Sequence, residues 1–121
     1  MKFKNCFKLS IIIPVFNAEK RISKCLTSVF SLKKKIDFNR FVEVVIINDS
    51  STDKSNKIIK NWKKKIKNLK IIKNKNNLGV SFSRNKGLNC SSGKYVFFLD
   101  ADDYIISCLL YTSDAADDVR G

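Results

Sequence analysis

The sequence predicts an α/β fold in which a mostly parallel sheet is covered by helices. Four short apolar runs, rich in β-branched residues, are typical of buried strands. Two of the segments between them repeat apolar residues at the three- and four-residue spacing of an amphipathic helix, and the third is also predicted to be a helix. The two patterns alternate in the order β-α-β-α-β-α-β, and such alternation indicates parallel strands joined by right-handed crossovers through helices.

The first half of the chain contains two of these strands and one helix. A continuous β-branched run, Leu9–Phe16, contains Pro14 near its end and predicts the first strand. The segment from just after Asn17 to about Leu32 carries one apolar stripe and predicts a helix. A polar linker follows, and Val42–Asn48 is the second predicted strand.

The second half continues the alternation. Ser51 or Thr52 is predicted to cap a second helix, with Asp53 in its first turn, where the positive end of the helix dipole favours a carboxylate. Apolar residues at helical spacing carry this helix on to Ile66. The remaining predicted elements are a strand at Leu69–Lys73, a helix at Val80–Cys90 and a strand at Lys94–Asp100.

Length and composition are those of one globular domain or a piece of one. The chain has 121 residues, of which 44% are hydrophobic and 11% aromatic. Its longest apolar segment is too short to span a bilayer, and its lysine-rich start lacks the apolar core and cleavage site of a signal peptide. The four cysteines show no CxxC spacing and there is no histidine, which argues against a structural zinc. The sequence therefore predicts a cytoplasmic protein with reduced thiols.

The net charge of +13 raises the question of an anionic partner. The lysines are spread over predicted helix faces and loops, without an aromatic-studded strand or a helix-turn-helix pattern, which argues against nucleic acid. The favoured interpretation is a solvated basic surface. Attraction to anionic lipid headgroups, and with it peripheral association with the inner face of the membrane, stays open.

Acidic residues directly follow two of the predicted strands. Asp49 comes after the second strand, and Asp100, Asp102 and Asp103 come at the end of the fourth. The carboxyl ends of parallel strands meet at one edge of the sheet, where open α/β sheets bind ligands. Carboxylates side by side repel each other unless a cation or a polar ligand separates them, and Mg²⁺ takes one or two carboxylates together with water and phosphate oxygens. The pattern therefore predicts a cation or polar-ligand site at this edge.

Arg84 is the basic residue best placed for that edge. It falls in the second turn of the predicted helix that begins at Val80, whose amino end faces the same edge, so it could reach a phosphate or a base there. Gly87 suits a close-packing position in this helix. The motifs GxGxxG and GxxxxGK[ST] are absent, and the lack of histidine excludes the usual catalytic triads. Cys25 and Cys90 lie in apolar helical contexts and are interpreted as packing residues.

Four segments, in this order and spacing, resemble the donor half of a family 2 glycosyltransferase: LSIIIPVFNAEKRISKCLTSV, VVIINDSSTDKS, NKNNLGVSFSRNKGL and YVFFLDADD. The resemblance covers residues 8–106. It implies the GT-A variant of the Rossmann-like α/β fold and an inverting transfer of a sugar from a nucleoside diphosphate sugar, with a UDP-sugar favoured and Mg²⁺ or Mn²⁺ as the cofactor. The implied acceptor is a glycan or a lipid-linked acceptor, as in the biosynthesis of cell-surface polysaccharides.

The resemblance also assigns a nucleotide-sugar site by position. Its residues would be Pro14, Val15, Phe16, Asp49, Arg84, Asp100 and Ala101. The three residues of the first strand would line the nucleotide pocket, Asp49 would hydrogen-bond the base, commonly uracil, and Arg84 would contact the nucleotide. Asp100 would bind the ribose, and Asp102 would hold the metal that bridges the diphosphate and stabilises the charge developing there.

Two positions depart from the family pattern. Ser51 stands where glycine is frequent, and Asn48 stands where aspartate is frequent. The catalytic residue itself is unknown, because the general base for the acceptor hydroxyl is expected on an acceptor half beyond the end of this chain. We therefore expect residues 1–107 to be the N-terminal, donor-binding part of a GT-A domain, incomplete at its C-terminus and inactive alone. Residues 108–121 resemble a translated sequencing adapter and are interpreted as a non-native tail.

Two alternatives stay open. The chain could be a non-catalytic basic α/β module that binds nucleic acid or an anionic surface, which salt-sensitive, metal-independent binding of any polyanion would indicate. It could also be a signalling domain resembling a response regulator, which places acids at strand ends. This second alternative requires a lysine on a later strand, and the sequence offers no convincing one.

Overall fold

The computed structural model describes residues 7–34 and 37–105 and contains a four-stranded sheet with helices on both faces. The strands are β1 (Leu9–Val15), β2 (Val42–Asn48), β3 (Leu69–Lys73) and β4 (Tyr95–Phe98). The α-helices are α1 (Ile22–Phe30), α2 (Phe38–Phe41), α3 (Ser55–Trp62) and α4 (Val80–Cys90), and α1 continues into a 3-10 helix at Ser31–Lys34.

The strands lie in the order β3-β2-β1-β4, and every neighbouring pair is parallel. The central strands β1 and β2 pair over their whole length, from Leu9 beside Val42 to Val15 beside Asn48. Because all four strands point the same way, their carboxyl ends form a single edge, which we call the carboxyl edge. The predicted α/β fold with a parallel sheet is confirmed.

The central strands are apolar on both faces because helices cover both. Ile11 and Ile13 belong to a cluster with residues of α1 and α3, whereas Ile12 and Ile47 belong to a second cluster on the side of α4. Successive residues of a strand point to opposite faces, so a strand covered on both sides is a continuous apolar run rather than an alternating one. This burial explains why the sequence pattern located both strands.

Helix α4 approaches the sheet closely at Gly87. A β-carbon at this position would lie 2.5 Å from Ile12 Cγ2 and 3.1 Å from Ile47 Cδ1, closer than side chains normally pack. The predicted close-packing role of Gly87 is therefore confirmed. It sets the distance between the sheet and the helix that carries Arg84.

Pro14 fits into a central strand because of where β4 stops. Asp49 N donates to Val15 O at 2.8 Å, so Val15 faces β2. Leu99 N donates to Ile12 O at 2.9 Å, so the even-numbered residues of β1 face β4. Pairing with β4 ends at Ile12. The next bond of this ladder would need an N–H group at residue 14, which proline lacks, so Pro14 lies where the pairing of β1 with β4 ends.

The start of α3 and the linker before β2 differ from the prediction. Ser51 and Thr52 do not cap α3, because this helix begins at Ser55 and both side chains contact the loop after β1 instead. Asp53 likewise precedes the helix, where it accepts a hydrogen bond from Ser55 N at 2.9 Å. The predicted polar linker contains α2, whose Phe38 is buried.

Four elements are shorter than predicted. Helix α1 begins at Ile22 rather than just after Asn17, and α3 ends at Trp62 rather than at Ile66. Strand β1 ends at Val15 rather than at Phe16, and β4 spans Tyr95–Phe98 rather than residues 94–100. The predicted non-native tail, residues 108–121, lies outside the described residues. None of the helices that the structure describes is long and apolar enough to span a lipid bilayer.

Candidate functional site at the carboxyl edge

The carboxyl edge brings together the charged residues predicted for it. Asp49 follows β2, the turn Asp100–Asp103 follows β4, and Arg84 lies in the second turn of α4. The strand order reverses between β1 and β4, since β2 and β3 lie on one side of β1 and β4 on the other. Open α/β sheets bind their ligands in the crevice at such a reversal, outside the carboxyl ends of the strands.

Asp49 is buried, with 4% of its surface exposed, and both of its carboxylate oxygens accept hydrogen bonds. Oδ1 accepts from Asn74 Nδ2 and from Leu78 N, each at 2.8 Å, and Oδ2 accepts from Gly79 N at 2.9 Å. Burial alone would raise the pKa of this carboxyl, but the three hydrogen bonds outweigh burial and hold the pKa below its usual range. Asp49 is therefore ionised at neutral pH and fixes the loop that leads into α4.

Asn74 is a buried residue of this site that sequence reasoning missed. Its backbone N donates to Asn48 O at 2.9 Å, and its side-chain Nδ2 donates to Asp49 Oδ1 and, at 3.2 Å, to Ser83 Oγ. Lys86 Nζ in turn donates to Asn74 Oδ1 at 3.2 Å. The signal that could have found Asn74 is its place directly after β3, at the same edge of the sheet as Asp49.

The loops after β1 and β2 are joined by hydrogen bonds between side chains and backbone. Asn17 N donates to Ser51 Oγ at 3.0 Å, and Asn17 Oδ1 accepts from Thr52 N at 2.8 Å. Ala18 N donates to Ser55 Oγ at 2.8 Å. Asn17 adopts a left-handed backbone conformation with φ 48, which asparagine tolerates better than most residues. The two loops therefore hold each other in place beside the end of β1.

Ser50 is the left-handed residue in the loop after β2, with φ 61. This conformation costs about 1–2 kcal/mol for residues other than glycine. The family resemblance predicts glycine at the position of Ser51, but Ser51 does not have a positive φ. The backbone position that favours glycine is Ser50 instead.

Arg84 and Asp100 form an ion pair at the reversal of the strand order. Arg84 Nη2 lies 3.1 Å from Asp100 Oδ1, and the two side chains are 40% and 54% exposed. An exposed ion pair of this kind contributes at most about 1 kcal/mol to folding stability, so a ligand can break the pair at little cost in free energy. Arg84 Nε is buried and has no hydrogen-bond partner among the described residues. The guanidinium therefore has a donor that its present contacts do not use.

The acidic turn after β4 combines a buried residue with exposed carboxylates. Ala101 is buried, whereas Asp102 and Asp103 are exposed. Cys25 of α1 lies beneath the turn and its Sγ donates to Asp100 O at 3.7 Å. Burial, reinforced by the charges of the three aspartates, raises the pKa of the Cys25 thiol to about 12. Cys25 is therefore a protonated packing residue, as predicted, and supports the turn from below.

Only one of the three predicted lining residues at the end of β1 presents an exposed side chain. Phe16 is 49% exposed, whereas Pro14 and Val15 are buried. Val15 O is already an acceptor for Asp49 N. Pro14 and Val15 therefore fix the end of the strand, and Phe16 is the side chain available for contact with a ligand.

Comparison with known proteins identifies the family. The sequence model of the family described as "Glycosyl transferase family 2" matches residues 10–110. The glycosyltransferase GlyA of Streptococcus pneumoniae is 40% identical over 98 residues, which cover 81% of this chain and 13% of GlyA. The poly(ribitol-phosphate) beta-glucosyltransferase of Bacillus spizizenii is 39% identical over 100 residues, which cover 81% of this chain and 15% of that protein.

A solved structure shares both the sequence pattern and the fold. The crystal structure of S. aureus TarS 1-349 in complex with UDP-GlcNAc matches with a TM-score of 0.78 at 36% identity, over 90% of this chain and 30% of that chain. This chain thus spans less than a sixth of the two curated relatives and less than a third of the TarS structure. The match of residues 10–110 nevertheless covers most of the chain. The chain therefore belongs to glycosyl transferase family 2, and its parallel sheet is of the GT-A type.

Proposed function

We propose that this chain is the donor-binding part of an inverting glycosyltransferase, which transfers a sugar from a UDP-sugar to a glycan or lipid-linked acceptor. The observation that carries the proposal is the meeting of Asp49, the Arg84–Asp100 ion pair and exposed Asp102 at the carboxyl edge. The UDP-GlcNAc in the TarS crystal structure supports a uridine nucleotide as the ligand. The relative named for poly(ribitol-phosphate) supports a surface polymer as the acceptor.

Asp49 is proposed to recognise the base. Uracil presents an imide N–H group, and an ionised carboxylate has about four acceptor positions for such donors. Asp49 uses three of them within the protein, two on Oδ1 and one on Oδ2, which leaves a position on Oδ2. The lowered pKa keeps this acceptor charged at neutral pH. Phe16 is proposed to cover the base, with Pro14 and Val15 holding the strand end beside it.

Arg84 and Asp100 are proposed to bind the ribose and phosphate part of the donor. Asp100 uses Oδ1 for Arg84, and its other carboxylate oxygen accepts no hydrogen bond from the part of the chain that the structure describes. This oxygen is suited to a ribose hydroxyl. Arg84 has five N–H donors and engages Asp100 through one nitrogen, so it can also contact a phosphate or the base. Ala101 is proposed to contribute its backbone, because its side chain is buried.

Asp102 is proposed to hold Mg²⁺ or Mn²⁺. No group of three metal-ligating side chains lies within residues 7–34 and 37–105, so the diphosphate would have to supply further ligands. The exposed carboxylate of Asp102 together with phosphate oxygens fits a hard cation that takes one or two protein carboxylates. When bound, such a metal supplies positive charge to the departing diphosphate.

We expect this chain to bind the donor without transferring sugar. Asp49, Asp100 and Asp102 are all assigned to the donor in this proposal, and the family resemblance puts the general base beyond the acidic turn. The division at residue 107 and the cytoplasmic location stay predictions.

Isothermal titration calorimetry with UDP and Mn²⁺ tests the proposal. We expect UDP binding to require Mn²⁺ and to weaken by at least about tenfold in Asp102→Ala, since this residue is the proposed metal ligand. Asp103→Ala is the matched control, because it removes the neighbouring exposed carboxylate, to which the proposal gives no role. UDP binding that needs no metal, falls steeply with salt and survives Asp102→Ala would contradict the proposal and favour the basic-module alternative.

A further inference from the structure

Ten lysines and no acidic residue lie between residues 54 and 75. This lysine surface consists of Lys54, Lys57, Lys60, Lys63, Lys64, Lys65, Lys67, Lys70, Lys73 and Lys75. All ten side chains are exposed. The proposed donor site uses none of them, so their charge is not explained by nucleotide binding.

Most of this charge has no acidic partner in the described part of the chain. Of the two ion pairs within residues 7–34 and 37–105, one involves the lysine surface, with Lys70 Nζ 3.3 Å from Glu43 Oε1. Lys63 Nζ donates to a backbone carbonyl, Leu69 O, at 2.9 Å. The other eight ammonium groups form no ion pair with the described residues. Such a surface has a strong positive potential and is stabilised by an anionic partner.

The lysine surface is broad rather than a pocket. Lys57 and Lys60 belong to α3, the stretch Lys63–Lys67 precedes the amino end of β3, and Lys73 and Lys75 lie at its carboxyl end. Strand β3 spans about 16 Å at roughly 3.3 Å per residue. This length is about twice the Debye length of about 8 Å at physiological salt. One phosphate group could therefore interact with only part of the surface, whereas a plane of phosphate groups could interact with several of these lysines at once. Lys70 is an exception, because its Nζ donates to Cys90 O at the end of α4, on the other face of the sheet from α3.

The residue types favour a lipid bilayer over a nucleic acid. Every basic residue of the surface is a lysine, and arginine, which binds phosphates and bases through its planar fork, is absent between residues 54 and 75. At the end of α3, half-buried Trp62 packs edge-on against Phe30 with ring centroids 6.2 Å apart, and Lys65 Nζ lies 4.7 Å from the centre of the Trp62 ring. Tryptophan is enriched at membrane–water interfaces, where its amphipathic ring lies at the level of the headgroups.

We propose that the lysine surface docks the protein onto an anionic lipid bilayer through the phosphate headgroups. Strand β3 is one edge of the sheet and β4 is the other. Docking through α3 and β3 therefore leaves the acidic turn after β4 uncovered and accessible to a donor. The inference goes beyond the proposed donor site and does not depend on it.

Co-sedimentation of the full chain with vesicles tests the proposal. The vesicles contain phosphatidylcholine with or without phosphatidylglycerol, and the chain is expected to bind only those with the anionic lipid. A quadruple variant removes four exposed charges through the substitutions Lys57→Gln, Lys60→Gln, Lys64→Gln and Lys67→Gln. The partition coefficient is expected to fall by at least ~100-fold, because each lysine near such a surface changes binding by about fivefold.

A charge-matched variant provides the control. Four exposed lysines lie outside the lysine surface, namely Lys8, Lys20, Lys34 and Lys94. Changing these four to glutamine should lower the partition coefficient by less than ~10-fold. Circular dichroism checks that both variants fold. An equal loss in the two variants would overturn the proposal, because net charge alone would then account for binding. Tighter binding of single-stranded RNA than of anionic vesicles at the same salt concentration would also overturn it.

Discussion

Replacing Asp49 by asparagine tests whether this carboxylate organises the carboxyl edge. The substitution keeps the shape of the side chain and removes its charge. The asparagine oxygen can replace Oδ1 and accept from Asn74 and Leu78, but its NH₂ group then faces Gly79 N, which is also a donor. One hydrogen bond is therefore lost, and the other two change from a charged to a neutral acceptor.

The expected loss of stability is about 3 kcal/mol. A hydrogen bond to a charged group contributes roughly 1.5–3 kcal/mol, which Gly79 N loses entirely. The two remaining hydrogen bonds weaken by roughly 0.5 kcal/mol each, since bonds to charged acceptors are the stronger kind. Asp49 is almost fully buried, but Gly79 is half-buried, so water can offset part of the loss and about 3 kcal/mol is the upper end of the expected range.

The loss of stability caused by Asp49→Asn should become smaller at acid pH. The folded-state pKa of Asp49 lies below its usual range, which is about 3.9 for an unfolded chain. Ionised Asp49 therefore contributes its full stability above about pH 4, and that contribution is lost as the pH falls through the lower folded-state value. Asparagine does not titrate. The difference in unfolding free energy between wild type and Asp49→Asn should therefore be largest at neutral pH and shrink below about pH 4.

Urea unfolding followed by the fluorescence of Trp62, the single tryptophan, measures both effects. Asp103→Asn is the control, because it removes an exposed carboxylate from the same edge and should change stability by less than about 0.5 kcal/mol. Equal urea midpoints of unfolding for wild type and Asp49→Asn at pH 7 would refute the claim that the Asp49 carboxylate stabilises the carboxyl edge. A stability difference that stays constant from pH 7 to about pH 3 would refute its electrostatic part.

Three further predictions follow from single positions. Gly87→Ala should lower the melting temperature, because the new methyl group would meet Ile12 and Ile47 and cost about 1–3 kcal/mol; an unchanged melting temperature would mean that α4 can shift freely. Ser50→Gly should raise stability by about 0.5 kcal/mol in urea unfolding, since relief of strain at φ 61 exceeds the added entropy of the unfolded chain, and a lower midpoint would count against it. Because its pKa is about 12, the Cys25 thiol should resist iodoacetamide at about pH 8 until urea is added; rapid labelling of its peptide in the folded chain, measured by mass spectrometry, would contradict this.

Residues inside or next to an element were sufficient to predict the bounds of α4, β2 and β3. Helix α4 begins and ends at its predicted residues because turn residues bracket it, with Gly79 at φ 95 before it and a Ser-Ser-Gly turn after it. Strands β2 and β3 also have their predicted bounds, Val42–Asn48 and Leu69–Lys73. In each case the residues that determine the element lie inside it or directly beside it.

The parts that the sequence did not reveal depend on partners far along the chain. Ser51 has the chemistry of a helix cap, but its hydroxyl accepts from the backbone of Asn17, 34 residues away. Asn74 contacts Asp49, 25 residues away, only because β3 and β2 are neighbours in the sheet. Sequence reasoning could place acids at the carboxyl edge from strand order alone. It could not tell that Asp49 is already bonded to the loop before α4.

The bonds between the loops after β1 and β2 have a consequence for mutagenesis. Asn17 and Ser51 belong to different loops, yet each loop depends on the other for its backbone conformation. Substitutions in the two loops should therefore be non-additive, so that after Asn17→Ala a second change at Ser51 costs less than it does in the wild type. The neighbourhood of Phe16 and Asp49 thus behaves as one thermodynamic unit, and its tolerance to change has to be measured on pairs of positions.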